Sequence, residues 1–552
     1  MPHENRLLFS CEGIVMKEYI NEALKQYTEN GKYPWHMPGH KRKSIGDDFF
    51  DNMMRRDFTE ARGLDDMHDP ELFMKETLRE LTELYGTKAT YMMVNGSTGG
   101  VLAAIYACTN YGDHIIVARN CHKSVYNAIT INGLIPHYIV SDVESHGICM
   151  AVDPEAVKAE VSGLLKAGIV PKAVVITSPT YEGIISDISA IKAAIKSACG
   201  LMMKTIPPNS ENDSEVPDIP LIVDGAHGAH LPFYNRFCNR IDESDRDKED
   251  VCTDVVSGDK LDVAGRNQAD IYIESTHKTL PALTQTGLIH VNNEKYVDRL
   301  EKYLKIFQSS SPSYLFVQSI EKAVGYALCN PQIWVQYREN IKGFRNKMSG
   351  LKNLKLFEPF EGIYDDTRLV IFTDMGGRKL EQILDDRYGL VVEMAAGSYV
   401  ILITSVMDEE KDFDRLFAAL KEIDHEEKPA GDEEKPERNK VRGKLSVPDM
   451  KWSPSEAEKS ADNAELVRLS EAAGMIAMEY VFAYPPGIPV VVPGEVICED
   501  VISRIQEMVD AGLNMTGVHF AGKEPEICLE CAKEIPPHLP LVLHSNICYN
   551  ET

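Results

Sequence analysis

Lys278 stands in the segment Glu274-Ser275-Thr276-His277-Lys278-Thr279-Leu280-Pro281-Ala282, directly after Ala269-Asp270-Ile271-Tyr272-Ile273. The apolar run reads as a buried strand, and an ammonium group at its end needs a reason, because burial strips a lysine of its hydration. One reason is a Schiff base: an amine held away from water gives up its proton readily and can attack an aldehyde. The hydroxyl and imidazole groups beside it, Ser275 and His277 among them, would suit the phosphate of pyridoxal phosphate (PLP). Taken alone, the segment also reads as a loop lysine exposed to water.

Three further stretches carry groups of the right kind. Asn95-Gly96-Ser97-Thr98-Gly99-Gly100 lies between a strand and an apolar helix. Free N–H groups at a helix N-terminus, with small residues allowing close approach, make a phosphate cradle to which Ser97 and Thr98 add hydroxyls. The same string also suits a plain strand-to-helix turn, and it matches neither a Walker loop nor the dinucleotide spacing. Leu221-Ile222-Val223-Asp224-Gly225-Ala226-His227-Gly228-Ala229-His230 ends a strand in a carboxylate. A buried Asp224 would pair well with a pyridinium N–H and keep such a ring an electron sink. A metal site of Asp224, His227 and His230 is the rival reading. Arg119-Asn120-Cys121-His122-Lys123-Ser124 follows another strand, where the His122 imidazole could stack on a flat cofactor or simply bond within its loop.

These groups need a frame, and the chain supplies alternating strands and helices. The strands are expected at 91–94, 115–118, 136–140, 173–177, 221–223 and 271–273, with helices at 70–85, 101–108, 123–132, 154–167 and 188–199. Near-continuous β-branched runs between helices indicate an α/β fold with a mostly parallel sheet covered on both faces. Helical character is also expected over 14–30. The polar stretches 202–217 and 236–267 read as solvated insertions, and 425–463, with its Glu/Lys/Pro runs, reads as a charged linker. The domains expected are an N-terminal arm (1–85), a large domain (86–310), a small α/β domain (311–424) and, beyond the linker, a C-terminal domain (464–552) with helices near 464–479 and 499–512.

Composition narrows the classes. The chain has 552 residues, 43% hydrophobic and 26% charged, with a net charge of −27, which argues against nucleic acid or an anionic membrane as partner. No apolar run reaches the ~20 residues a membrane span needs, and Met1-Pro2-His3-Glu4-Asn5-Arg6 does not open a signal peptide. Twelve thinly spread cysteines suit reduced thiols in cytoplasm.

The motifs together are more specific than any alone. Pro38-Gly39-His40-Lys41, Gly63-Leu64-Asp65-Asp66-Met67-His68, the Asn95–Gly100 turn, His122-Lys123-Ser124, Asp224-Gly225-Ala226-His227 and Ser275-Thr276-His277-Lys278 occur in that order. Ser309-Ser310-Ser311-Pro312-Ser313-Tyr314, Tyr484-Pro485-Pro486-Gly487-Ile488-Pro489 and Pro493-Gly494-Glu495 follow. Over about residues 14–515 this set resembles the bacterial ornithine/lysine/arginine decarboxylase family, which has the aspartate-aminotransferase type of PLP fold.

The resemblance implies a large PLP-binding domain with a sheet of the seven-stranded type, and roles for matching residues. Lys278 would form the internal aldimine, Asp224 would partner the pyridine nitrogen, His122 would stack on the ring and His227 would lie beside the cofactor. Ser97, Thr98, Ser275 and His277 would hold the phosphate. Ser309 would reach a neighbouring subunit's phosphate, making a dimer the smallest active unit, and Glu495 would sit near the distal cationic group of the substrate. The implied reaction is decarboxylation of a basic amino acid (arginine, then lysine, then ornithine) to an amine for polyamine synthesis, with Lys278 or His277 returning the proton. Another PLP reaction, transamination or β-elimination, and a catalytically silent regulatory paralogue are the alternatives. Two departures stand out. Gly225 occupies a position often acidic in relatives, and the chain begins without the N-terminal wing domain of larger relatives, so a dimer or tetramer is expected. Outside the resemblance, Cys528, Cys531, His544 and Cys548 have a spacing compatible with zinc.

Overall fold

The computed structural model describes residues 31–36, 39–41, 43, 53, 58, 60, 64–205, 216–239, 266–358, 363–426, 441–444, 447–460, 464–483, 487–521 and 524–530. Its largest sheet has seven strands: β1 (Ala89–Met93), β2 (His114–Ala118), β3 (Ile135–Ile139), β4 (Val174–Thr177), β5 (Leu221–Asp224), β6 (Ile271–Glu274) and β7 (Gly287–Val291). The order across the sheet is β1-β7-β6-β5-β4-β2-β3. Strands β3, β2, β4, β5 and β6 pair in parallel, while β7 runs antiparallel to both its neighbours.

Strands β4 and β5 are buried along their whole length, as expected of a sheet covered on both faces. Helices α1 (Gly96–Cys108) and α2 (Lys123–Ile131) follow β1 and β2. Helix α1 is apolar almost all round and packs close to the sheet: a Cβ on Gly100 would lie 2.3 Å from Met93 Sδ and 3.1 Å from Ile273 Cγ2. Glycine is what lets the phosphate-cradle helix approach so near.

The six strands expected from the sequence are all present. The seventh, β7, was not legible, since Gly287-Leu288-Ile289-His290-Val291 has no alternation and only the four-residue helix Thr276–Thr279 parts it from β6. Its direction matters: because β7 is antiparallel, its beginning lies at the same sheet edge as the ends of the parallel strands. Residues Thr284 and Gln285 therefore stand beside Lys278.

A smaller four-stranded antiparallel sheet holds Lys355–Leu356, Arg368–Phe372, Tyr399–Ile403 and Met394–Ala395, in that order, with helices Gly377–Tyr388 and Glu410–Glu426. Leu390–Val392 pairs in parallel with Tyr33–Trp35, tying the N-terminal segment to this domain. In the C-terminal domain, Val481–Ala483 lies between Pro489–Val491 and Met515–Thr516. The helix Glu499–Asp510 buries Val501 and Ile505 there, as the expected 499–512 helix requires.

Several boundaries differ from expectation. The helix expected at 464–479 is instead a strand, Ala464–Arg468, paired with Glu524–Glu530, followed by a single 3-10 turn. Three of the strand's five residues are exposed, so its polar content came from an open sheet face. Within the expected linker, Val441–Lys444 pairs with Asp142–Glu144, and Ser453 starts the helix Pro454–Lys459 with a capping box to Glu456. The helix Ile188–Thr205 runs into the first expected insertion, and Leu231–Asn239 into the second. The remaining insertion residues 206–215 and 240–265, like the 14–30 segment, lie outside the described residues.

Gly225 has a local explanation. A Cβ there would lie 2.2 Å from the Tyr272 ring. Tyr272 fills the space any side chain at 225 would need, and its hydroxyl donates to Ser178 O at 3.4 Å.

Candidate active site

The C-terminal edge of the parallel strands, where ligands of such sheets bind, opens onto a cavity of about 390 Å³. It is lined by residues following five of the seven strands and preceding β7. Ser97 and Thr98 come after β1, Asn120 and His122 after β2, Thr180 and Tyr181 after β4. Asp224 ends β5, and Ser275, His277 and Lys278 follow β6. Eight of the ten expected site residues thus converge on one cavity: Ser97, Thr98, His122, Asp224, His227, Ser275, His277 and Lys278.

Lys278 lies in the short turn Thr276–Thr279. Its Nζ is 2.9 Å from His227 Nε2. Burial lowers the Lys278 pKa to about 8, against the opposing pull of the Asp224 and Glu393 carboxylates. Burial raises the pKa of Asp224, and the nearby Lys278 charge and the Ala226 N–H bond draw it back. The half-buried amine and the buried carboxylate each make the other's charge tolerable.

His122 caps α2, its Nδ1 accepting the Ser124 N–H at 3.2 Å. Burial, reinforced by Lys278 and Lys123, lowers its pKa to about 3, so it presents a neutral flat ring to the cavity. His277 donates through Nδ1 to Thr286 O at 2.8 Å. Its pKa falls to about 4, chiefly through burial, so Nε2 carries a lone pair and would need a proton to donate to a phosphate oxygen. Burial likewise keeps His227 neutral, its pKa well below the usual value.

The Asn95–Gly100 turn brings a helix N-terminus to the cavity. Helix α1 starts within the glycine turn itself, five residues earlier than its apolar run suggests. Gly96 N–H donates to Gln285 O and Gly99 N–H to Asn95 O, which leaves the Ser97 and Thr98 N–H groups at the helix's positive end. Around the cavity Asn120 Oδ1, His227 Nδ1 and Ser275 Oγ are buried with no hydrogen-bond partner among the described residues. Unsatisfied buried polar atoms on a cavity wall call for a polar ligand. A flat ring with a basic nitrogen over Asp224, a phosphate at α1 and Ser275, and an aldehyde at Lys278 match the donor set, so the residues fit PLP.

Two expected residues stand elsewhere. Glu495 is fully buried, and both its oxygens meet Arg119 Nη2, at 3.3 and 3.2 Å, while Oε2 also accepts the Val492 N–H at 2.8 Å. It does not line the cavity, and both its oxygens face Arg119, so the structure places the expected distal anchor apart from the other site residues. Ser309 is exposed and outside this chain's cavity, its carbonyl accepting from His68 Nε2 at 2.7 Å.

The structure adds Glu393, which no motif announced. It is half-buried on the cavity wall and accepts from Tyr181 OH at 2.5 Å. Tyr181 in turn packs edge-on against His227, ring centroids 4.7 Å apart. The one sequence signal was an acid interrupting the apolar run Leu390-Val391-Val392-Glu393-Met394. Asn120, Thr180, Gln285 and Ile488 also line the cavity unannounced.

The metal reading at Asp224 does not gather its ligands. His230 turns away from Asp224 and faces Asp365, at 3.2 Å. No group of three or more metal-ligating side chains converges among the described residues. Cys528 lies in the strand Glu524–Glu530, opposite Leu466, whereas Cys531, His544 and Cys548 lie outside the described residues. Among the described residues no helix is long and apolar enough to cross a membrane.

Known proteins share this fold. The solved structure of Escherichia coli constitutive lysine decarboxylase has the same fold, with a TM-score of 0.65 at 18% identity over 93% of this chain and 81% of that one. Francisella novicida lysine decarboxylase superposes with a TM-score of 0.68 at 17% identity, covering 93% and 83%. By sequence, arginine decarboxylase of Bacillus subtilis (strain 168) is 27% identical over 513 residues, 90% of this chain and 94% of the relative. Inducible lysine decarboxylase of Escherichia coli (strain K12) is 24% identical over 621 aligned residues, 92% of this chain and 80% of the relative. Residues 20–204 and 211–390 match the family model described as Orn/Lys/Arg decarboxylase, major domain, and residues 438–527 match that of its C-terminal domain. With both domains of one family matched in order along most of its length, the chain belongs to the Orn/Lys/Arg decarboxylases and is a decarboxylase.

Proposed function

We propose that the chain binds PLP covalently through Lys278 and decarboxylates a basic amino acid, arginine before lysine and lysine before ornithine, to an amine for polyamine synthesis. The observation that carries this reading is the Lys278 amine, poised near pH 8 between Asp224 and His227 on a cavity of cofactor size. Bound PLP supplies the electron sink that lets the bond from Cα to the carboxylate break. The chain's own residues do the rest. Asp224 holds the ring-nitrogen proton, and His122 covers a ring face. Ser97, Thr98 and Ser275 bind the phosphate, with His277 joining them once protonated. Lys278, with His227 Nε2 in reach, holds a proton and returns it to the carbon that loses CO₂.

Glu393 and Asp224 are the acidic side chains of the cavity wall, and Asp224 is committed to the cofactor. We assign the substrate's cationic group to Glu393, oriented by Tyr181. The preference for arginine rests on the Bacillus relatives named arginine decarboxylase, which match over nearly their whole length. Ser309 is assigned to the phosphate site of a second copy, giving a homodimer or tetramer, and the absence of a membrane-crossing helix among the described residues suits a cytoplasmic enzyme.

Incubation with arginine, lysine and ornithine, following CO₂ and amine, tests the reaction. A keto acid without CO₂ would refute it. Glu393→Gln should raise KM for the preferred substrate roughly 10- to 100-fold, the range for a hydrogen bond to a charged group, while PLP affinity stays unchanged. An unaltered KM removes Glu393 from substrate binding.

Capture of PLP by the apoprotein needs the neutral amine. Its rate should therefore climb about tenfold per pH unit below pH 8 and level off above it, because the folded-state pKa is lowered to about 8. A rate still climbing beyond pH 10, followed by stopped-flow absorbance, would mean an ordinary, hydrated lysine.

A further inference from the structure

The loop that carries His122 is gripped on both sides by the C-terminal domain. On one side Arg119, 2% exposed, donates from Nη1 to Pro489 O at 2.8 Å and from Nη2 to Val490 O at 3.2 Å. The same Nη2 meets both oxygens of Glu495, which is 0% exposed. On the other side Lys123 N–H donates to Gly487 O at 3.0 Å. Between these two anchors lie Asn120 and His122, both on the cavity wall, and Ile488 joins that wall from the C-terminal domain.

The grip is specific in its chemistry. Arg119 is also tied to its own domain: Nη1 donates to Tyr126 OH at 3.1 Å, Tyr126 OH donates to Arg119 O at 2.7 Å, and the guanidinium lies over the Tyr138 ring at 5.2 Å. Glu495 is held in turn by Val492 N–H, and its backbone bonds to Val492 O and from Ala477 N–H. A planar guanidinium spreads its donors over separate nitrogens, so Nη1 and Nη2 reach two neighbouring carbonyls and a carboxylate from one rigid fork, whereas an ammonium offers a single point charge. The charges compensate each other where water is absent, so the geometry is costly to disturb.

We propose that Arg119 and Glu495 are positioning residues: they brace the His122 loop against the C-terminal domain and so set the ring-covering imidazole over the cofactor site. The C-terminal domain is thereby a working part of the site, acting through a buried ion pair and with no Glu495 contact to substrate. This rests on the PLP reading above, and its test has an arm that does not.

The test uses the full chain in four forms: unaltered, Glu495→Gln, His122→Ala and the double variant. PLP affinity is read from the visible band on titrating apoprotein. Glu495→Gln should weaken PLP roughly tenfold, a coupling of ordinary size for residues in one network, and should have no further effect once His122 is alanine. A purely structural pair would instead weaken PLP equally in both backgrounds, and that outcome, or no weakening at all, overturns the proposal. In the apoprotein, hydrogen exchange should speed up over 119–126 in Glu495→Gln and stay unchanged over 221–224; unchanged exchange over 119–126 also overturns it. Should Glu495→Gln fail to fold, Arg119→Lys, which keeps the charge and loses the planar fork, takes its place in the same cycle, with the same results expected and the same results overturning the brace. If the unaltered chain takes up no PLP, the cofactor reading fails, and the exchange arm still decides the brace.

Discussion

Lys278→Ala should abolish decarboxylation and the visible band of PLP bound to the protein together. The expected loss in kcat is on the order of 10⁴- to 10⁶-fold, the scale seen when an enzyme loses its covalent nucleophile. Both losses follow from one group. Lys278 Nζ is the primary amine on the cavity wall with a lowered pKa, near 8, and it sits 2.9 Å from His227 Nε2. On the proposed reading, alanine removes both the amine that attaches the cofactor and the proton carrier at the reacting carbon. The fold should tolerate the change, because the half-buried Lys278 faces a cavity and leaves no closed void behind. Thermal unfolding of the apoprotein is the control, and an unchanged melting temperature with a lost band locates the effect in chemistry. A Lys278→Ala protein that keeps its visible band would end the covalent assignment.

The second large effect is expected from Asp224→Asn. The shape is conserved, and the amide oxygen can still accept the Ala226 N–H that now donates to Asp224 Oδ1 at 3.2 Å. The charge is lost, and with it the hold on a ring-nitrogen proton. Preorganised charges facing developing charge are worth about 10²- to 10³-fold in kcat each, and a loss of that size is expected with PLP still bound. Stability should move the other way. Burial raises the Asp224 pKa, so the ionised carboxylate is held at a cost to the fold. The apo variant should melt at the same temperature or higher. Lower kcat with equal or greater stability is the signature of a residue kept for function. A variant that loses stability and activity in proportion would make Asp224 a structural residue.

The Asn95–Gly100, Asp224–His227 and Ser275–Lys278 motifs were readable because each is short and local: an apolar strand, a turn and a polar group within a few residues. Strand-end placement then brings them together without further information, since parallel strands put all their C-terminal ends on one edge. The antiparallel β7 is hidden in the sequence because only the four-residue helix Thr276–Thr279 separates it from β6, too short to show a helical period, and Thr284 and Gln285 are hidden with it. The strand at 464–468 was mistaken for a helix because its pairing partner, Glu524–Glu530, lies some 60 residues away and an exposed strand face is as polar as a helix surface.

Glu393 and Glu495 mark the boundary most sharply. Glu495 belongs to the Pro493-Gly494-Glu495 motif and Glu393 to none, yet the neighbours of neither residue name the side chain it meets. The side chain each meets belongs to a distant segment: Tyr181 for Glu393, Arg119 for Glu495. The sequence by itself determined six of the seven sheet strands and the placing of Ser97, Thr98, Asp224, Ser275, His277 and Lys278 at strand ends, because those depend on contacts within a strand and its following turn. Only the tertiary structure decided which carboxylate faces the cavity and which is sealed in an ion pair, because a carboxylate's role is set by the charge packed against it.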